Sequence, residues 1–467
     1  MKYFFETYGC QMNKAESAAI EQLLIQRGWT SALSAEDADL AIINTCSVRA
    51  TAENRIFGRL GWFTAMKAVR SGTKDAKTAN FPIAAKVCAE GRQQLTLAVT
   101  GCMAQRLLDS FKKQYPVIDY VVGNFQKQNF TEIAIAVEQN KPPLVLEEEP
   151  VYTFAPVSLE VGAFTAFVPI MHGCNNFCTY CIVPYVRGRE VSRNPEEILA
   201  ELDQLSAHQV REVTLLGQNV NSYKWQKDDG QVLDFPSLMQ LIAQHLRETK
   251  SSIGWLRFMS SHPKDLSEKL IDVIAKEPVI CRHIHLPVQH GSTDVLCRMN
   301  RRYSREQYLA LVEQIRQRIP DVSLTTDILL GFPGETEEDF QQTVSLMQQV
   351  RYQAAYMYYY NPREGTPAAS YPNQIPLETK KKRLQRIIDM QLEITRQETA
   401  RRLGKTVLVL AESVSRDNSA ELLGKTEQDE RVVFAAPKSL CGQFVQVQLV
   451  ELTGNTIRGI LKTEGDG

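Results

Sequence analysis

A chain of 467 residues, 43% hydrophobic and 23% charged, is long enough for two or three domains and has the composition of an ordinary globular protein. Its formal net charge of −1 excludes a globally basic polyanion binder, so any nucleic-acid surface must be a local patch. No apolar run approaches the roughly 18 residues of a membrane helix, and residues 1–7 lack a signal-peptide core, so the expectation is a cytosolic protein with no membrane partner.

In that reducing compartment cysteines ligate metals more often than they pair as disulfides, which makes the ten cysteines the residues to explain. The N-terminal part, residues 1–140, alternates short apolar runs with helix-like stretches and predicts a parallel α/β domain. Three predicted strands, over 3–7, 40–43 and 95–99, each lead into a cysteine: Tyr8-Gly9-Cys10, Asn44-Thr45-Cys46 and Thr100-Gly101-Cys102. The carboxyl ends of parallel strands share one sheet edge, where ligands bind, so Cys10, Cys46 and Cys102 are candidates for one metal site. A buried core cysteine is the alternative for each taken singly; their shared post-strand position favours the metal. Residues 62–92, rich in Lys, Gly, Ser and Thr, predict a flexible excursion carrying Cys88, and the Pro- and Glu-rich residues 140–161 predict an interdomain linker.

The middle part, residues 160–395, has six predicted strands beginning near Phe167, Val213, Trp255, Ile284, Ser323 and Tyr356, with helical patterns between them. One of those helices opens at Asn194-Pro195-Glu196-Glu197, a capping residue followed by proline and acids. Repeated βα units at this spacing predict an open, partial (β/α)6 barrel with its site at the strand carboxyl ends. Gly173-Cys174-Asn175-Asn176-Phe177-Cys178-Thr179-Tyr180-Cys181 follows the first strand directly and so falls at that mouth. Three thiolates at this spacing can hold three irons of a 4Fe–4S cubane and leave the fourth open to a small molecule. A zinc site completed by His172 is the alternative. Gln218, Gln289 and Asp327 also fall at predicted strand ends, where they would contact cofactor or substrate, or serve structure. His262, His283, His285 and His290 read as local hydrogen-bonders, and Cys88, Cys281, Cys297 and Cys441 as unligated.

Residues 399–464 predict a small antiparallel β-barrel built from β-rich runs at 406–410, 431–434, 444–449 and 456–460. Just before it, Lys380-Lys381-Lys382-Arg383, Arg386, Arg396, Arg401-Arg402 and Lys405 outnumber the nearby acids. That run reads equally as a solvated helix face or as a phosphate-contacting surface.

These motifs together resemble the radical S-adenosylmethionine (SAM) methylthiotransferase family of the MiaB type. The resemblance rests on Tyr8-Gly9-Cys10-Gln11-Met12-Asn13, Asn44-Thr45-Cys46-Ser47-Val48-Arg49 and Gly101-Cys102-Met103-Ala104. It continues through Gly173 to Pro184 with Arg187-Gly188 and Ser192-Arg193, then His285-Leu286-Pro287-Val288-Gln289, Met299-Asn300-Arg301-Arg302-Tyr303 and Thr326-Asp327-Ile328-Leu329-Leu330-Gly331. The final barrel resembles a TRAM domain.

The resemblance implies a 4Fe–4S cluster on Cys174, Cys178 and Cys181 that cleaves SAM, with Tyr180 near the SAM adenine. It implies a second 4Fe–4S cluster on Cys10, Cys46 and Cys102 that holds the transferred sulfur, and no catalytic residue beyond the cluster ligands. The implied reaction is methylthiolation of carbon 2 of N6-isopentenyladenosine beside the tRNA anticodon (position 37), using two SAM molecules. The anticodon stem-loop and an electron donor are the implied partners of a monomer. Threonylcarbamoyl-adenosine or a ribosomal protein are alternative substrates within the family, and a non-enzymatic iron–sulfur or zinc RNA-binding protein is the alternative outside it.

Overall fold

The structure, a computed structural model, describes residues 1–47, 50–74, 80–147, 152–155, 157–160, 162–227, 229–454 and 456–462. It divides into two compact units, Met1–Val161 with Ile182–Val191, and Gly162–Cys181 with Ser192–Gly467.

The first unit is built on a parallel sheet in the order β2-β1-β3-β4-β5. Its strands are β1 (Lys2–Thr7), β2 (Thr30–Ser31), β3 (Leu40–Thr45), β4 (Thr96–Gly101) and β5 (Tyr120–Val122). β3 is buried along its whole length, as its apolar sequence requires of a strand covered on both faces. Side chains alternate along it: Leu40 and Ile42 pack with Ile20, Leu24 and Phe130, while Ala41 and Ile43 pack with Leu60, Phe63 and Met103. Helices therefore cover both faces and leave the carboxyl edge of the sheet to carry a site.

Two expectations change here. Most of the predicted excursion is ordered: residues 62–70 complete the helix Ala50–Arg70, and Cys88 sits in the helix Pro82–Ala89. The fully buried Arg70 donates to the carbonyls of Ala38, Arg92 and Gln94, tying the stretch to the sheet; residues 75–79 lie outside the described residues. The predicted linker is laid along the first unit, with Leu144 N–H donating to the Tyr120 hydroxyl and Gln22 Nε2 to the Leu159 carbonyl. Glu148, Glu149, Pro150, Val151, Pro156 and Val161 of that stretch lie outside the described residues.

The second unit holds the six parallel strands expected, β6 (Thr165–Pro169), β9 (Glu212–Leu216), β12 (Trp255–Phe258), β13 (His283–His285), β14 (Ser323–Leu330) and β15 (Ala354–Tyr359). Short strands β7 (Met171–His172), β8 (Val191–Ser192), β10 (Lys224–Gln226) and β11 (Val232–Asp234) lie in the connections. β6, β9 and β12 form one sheet and β13, β14 and β15 a second. Backbone bonds from Leu256 N–H to the Val279 carbonyl (2.7 Å) and from Cys281 N–H to the Leu256 carbonyl (3.0 Å) join them. Among the described residues no pairing closes β6 onto β15, so the barrel is partial and open. Helices cover its outside; at Asn194 the side chain caps the helix Pro195–Ala207 by accepting from Glu196 N–H, as its sequence predicts.

The C-terminal barrel closes in the order β16-β17-β18-β20-β19, with β16 (Thr406–Val414), β17 (Glu421–Thr426), β18 (Arg431–Ala435), β19 (Phe444–Thr453) and β20 (Thr456–Leu461). β17 was not among the predicted runs, because Glu421-Leu422-Leu423-Gly424-Lys425-Thr426 has little β-branched content. Its place is set by closure: Gly424 lets the Leu410 carbonyl approach where a Cβ would stand. The barrel seats on the amino-terminal ends of β9 and β12. Trp255 and Phe444 meet edge-to-face at 4.8 Å, Arg257 donates to the Thr426 and Glu427 carbonyls, and Lys425 Nζ lies 2.6 Å from Glu212. It is thus an integral part of this unit.

The basic run before the barrel is also revised. Lys380 is buried, donating to the Tyr360 carbonyl, and Arg383 is buried against Glu335. Arg402 pairs with Glu430, and Arg396 and Arg401 pair with Glu393 and Glu398 one turn away. Lys382, Arg386 and Lys405 of the run remain outward, Arg386 donating to Gln341 Oε1, with Lys381 beside Glu378.

Candidate cluster and cofactor sites

The fold gathers the first cysteine set at one sheet edge. Thr45 and Gly101 are paired in register, so Cys46 and Cys102, one residue on, leave β3 and β4 at the same level. Tyr8 N–H donates to the Asn44 carbonyl, and a Cβ on Gly9 would stand 2.8 Å from the Cys46 Cβ, so the turn carrying Cys10 lies against Cys46. Gly9 (φ +135°) and Gly101 (φ +93°) hold backbone conformations that L side chains avoid, and a Cβ at either would strike Asn13 or the Thr45 backbone. The Gly-Cys pairs were therefore the local signal. Asn13 fastens the arrangement: its Nδ2 donates to the Tyr8 and Thr45 carbonyls and Asn44 Oδ1, while its Oδ1 accepts from Cys10 Sγ at 3.4 Å. Ser47 is buried; Val48 and Arg49 of the same motif lie outside the described residues.

Three charged residues beside this edge escaped the sequence reading as a group. Arg187 Nη1 donates to Glu16 Oε1 at 2.8 Å, Lys127 Nζ lies 2.6 Å from the same oxygen, and Arg187 Nη2 reaches Asn13 Oδ1 at 3.4 Å. Burial alone would raise the Glu16 carboxyl, but Arg187 and Lys127 hold it below the usual carboxylate range. Burial opposes the charge of Arg187, and Cys102, Glu16 and Cys10 more than restore it.

The second set occupies a loop pinned from several directions. Gly173 N–H donates to Gln218 Oε1 at 2.6 Å, Thr179 N–H to the Met299 carbonyl, and Asn300 Nδ2 to the carbonyls of Asn176 and Phe177. Arg301, itself buried, donates to Cys178 Sγ at 3.4 Å, to the Tyr303 hydroxyl and to the Pro287 carbonyl. Asn300 and Arg302 both have φ near +59°, bending the chain around Arg301. No periodicity could reveal that role.

Tyr180 packs beside Val295, Met299, Phe332 and Tyr360, and burial pushes its hydroxyl well above the ordinary tyrosine value. Gln218 supports the cysteine loop from just beyond β9. Gln289 has φ +71°, and its N–H and carbonyl bond Asp327 and Leu329 of β14, a bracketed strain of the kind found at functional sites. Asp327 lies inside β14, not at its end, with Oδ2 3.6 Å from His285 Nε2. His283 and His285 both bond Thr325, and His290 meets Glu335 at 3.3 Å. Cys281 is buried beside Trp255 and Leu410, where burial pushes its thiol up against the charge of Arg257.

No disulfide joins any of the ten cysteines. Among the described residues no three of His, Cys, Asp and Glu close a coordination sphere as they stand. What the geometry provides is three thiols at one edge, three in one loop, and a buried guanidinium beside each set. An iron–sulfur cluster is held by cysteine thiolates, and each set offers three cysteines with a guanidinium close by. The residues therefore fit the group.

Comparison with known proteins agrees with this geometry. Residues 168–347 match the model of the radical SAM superfamily, residues 2–123 that of the uncharacterised protein family UPF0004, and residues 400–462 that of the TRAM domain. A Treponema denticola protein named tRNA-2-methylthio-N(6)-dimethylallyladenosine synthase is 50% identical over 99% of this chain and 100% of its own length. A Dictyoglomus thermophilum protein of the same name is 40% identical over 98% and 99%. Among solved structures, the radical SAM methyltransferase TsrM from Kitasatospora setae aligns at a TM-score of 0.55 and 13% identity, covering 79% of this chain and 75% of that one, a likeness of fold alone.

Proposed function

The chain belongs to the family of tRNA-2-methylthio-N(6)-dimethylallyladenosine synthases, a radical SAM family that implies a 4Fe–4S cluster and SAM, and from that premise we propose that it methylthiolates carbon 2 of N6-isopentenyladenosine beside the tRNA anticodon. The observation that carries the reading is the pair of three-thiol sets, one in the SAM-type loop and one at the edge of the N-terminal sheet. Cys174, Cys178 and Cys181 would hold the SAM-binding cluster, and Cys10, Cys46 and Cys102 a second. Carbon 2 of adenine carries hydrogen with no leaving group, and a 4Fe–4S cluster with SAM supplies radical chemistry that side chains lack.

The chain's own residues position and shield. Gln218, Asn300 and Arg301 hold the cysteine loop at the barrel mouth, Arg301 by donating to Cys178 Sγ. Tyr180, Gln289 and Asp327 are the contacts we assign to SAM and substrate. Residues 1–140, 160–395 and 399–464 are read as the methylthiotransferase, radical SAM and TRAM parts, acting in a cytoplasmic monomer fed by an electron donor. No helix among the described residues is long and apolar enough to cross a membrane. The TRAM match supports an anticodon stem-loop grip.

The test is nucleoside analysis of tRNA from a strain lacking this protein, complemented by wild type or by Cys10→Ala/Cys46→Ala/Cys102→Ala. The 2-methylthio nucleoside should return only with wild type. Loss of a methylthiolated threonylcarbamoyl-adenosine instead would reassign the substrate.

A further inference from the structure

The trio Glu16, Lys127 and Arg187 has no part in the reaction as proposed, yet it is costly. Arg187 and Glu16 side chains are each 3% exposed and Lys127 is 13% exposed. Two cations face one carboxylate here, and taking such charges out of water costs several kcal/mol per ion. Two thiols stand close to these cations. Cys10 Sγ and Arg187 Nη2 share one acceptor, Asn13 Oδ1, at 3.4 Å each, and Cys102 packs with Ile182 and Val186 of the short segment that ends in Arg187. Lys127 arrives from a separate element, the turn Lys127–Asn129. Two independent parts of the first unit thus bring positive charge to one edge.

We infer that Arg187 and Lys127, opposed by Glu16, are the fixed counter-charge of the Cys10, Cys46 and Cys102 set and tune the reduction potential of the cluster it holds. This rests on the reading that these three cysteines bind a cluster. A cluster held by three thiolates is anionic, and each electron added makes it more so. Adjacent positive charge therefore favours the reduced form and raises the potential, whereas adjacent negative charge lowers it. Arg187 and Lys127 act through the sulfur ligands and are positioning residues.

The experiment uses full-length protein, reconstituted anaerobically with iron and sulfide, in the Cys174→Ala/Cys178→Ala/Cys181→Ala background so that a single cluster reports. A dithionite titration with mediators, followed by electron paramagnetic resonance, gives its midpoint potential. Arg187→Gln and Lys127→Met should each shift it to more negative values, with Arg187→Lys close to the parent. Glu16→Gln removes the opposing carboxylate and should shift it the other way. That opposite sign is the decisive readout, because a merely structural role predicts loss of iron from all three removals and no sign reversal. If Arg187→Gln holds no iron, Lys127→Met and Glu16→Gln still carry the test. Full iron with the same potential in both would overturn the inference. A parent background without iron would overturn the cluster assignment itself.

Discussion

The two cysteine sets are built by opposite routes. In the second unit three thiols lie within eight residues of sequence, and the loop is stapled by the Met299 carbonyl and by the side chains of Asn300, Arg301 and Gln218. In the first unit the thiols are separated by 36 and 56 residues, and strand register brings them level. A local loop can keep its ligands while much around it loosens. An edge site is only as good as the sheet, so its tolerance to damage should be much lower.

The largest expected effect breaks the edge site through backbone alone. Gly101→Ala puts a Cβ into the Thr45 backbone at a positive φ, and should cost about 3 kcal/mol or more. Iron should fall to about four per chain, the cubane of the loop set, with SAM cleavage to 5′-deoxyadenosine retained. Retention of both clusters would show that register is not what assembles the edge site.

Next comes the seat of the C-terminal barrel. Arg257→Met removes a buried guanidinium from Glu212 and two barrel carbonyls and should destabilise the second unit by about 3–5 kcal/mol, read from its denaturant midpoint while the first unit unfolds as before. For the same reason, truncation before the barrel should bare Trp255 and Lys425's partner Glu212, and the shortened chain should aggregate.

Acid should separate the units further. All seven histidines lie in the second unit, and burial pushes His283 down to about 4 and His262 to about 2, the latter with help from Arg301, Lys264 and Arg302. Their folded values lie below the ordinary histidine value of about 6.5. As pH falls below that value, the unfolded chain binds protons that the folded chain refuses. Stability of the second unit should therefore drop by up to about 1.4 kcal/mol per pH unit for each histidine, from about pH 6.5 toward 4. Unfolding midpoints across that window, with His283→Gln flattening the slope, check the sign. An equal loss in the first unit would remove the contrast.

The smallest effects belong to the exposed cations. Lys382→Ala should change stability by less than about 0.5 kcal/mol, while lowering the salt slope of tRNA binding by about one. An unchanged slope would place the RNA grip elsewhere.

The sequence by itself determined the elements whose signals are local. Period-two and apolar runs marked the three strands of the edge site and all six barrel strands, the Asn194 cap marked a helix start, and the thiol spacing from Cys174 to Cys181 marked the loop set. Only tertiary structure decided the rest, because the deciding forces act between segments. Register levelled Cys46 with Cys102, and closure placed β17 with almost no propensity of its own. Burial turned Lys380 and Arg383 from candidates for a phosphate surface into buried supports, Lys380 on the Tyr360 carbonyl and Arg383 on Glu335. Arg187, Lys127 and Glu16 come from three places in the chain, and nothing in one-dimensional order foretells that two cations must share one carboxylate beside two thiols. Charge pairing in a low-dielectric interior is decided by distance in space, which spacing along the chain encodes only within a helix, a hairpin or a tight loop.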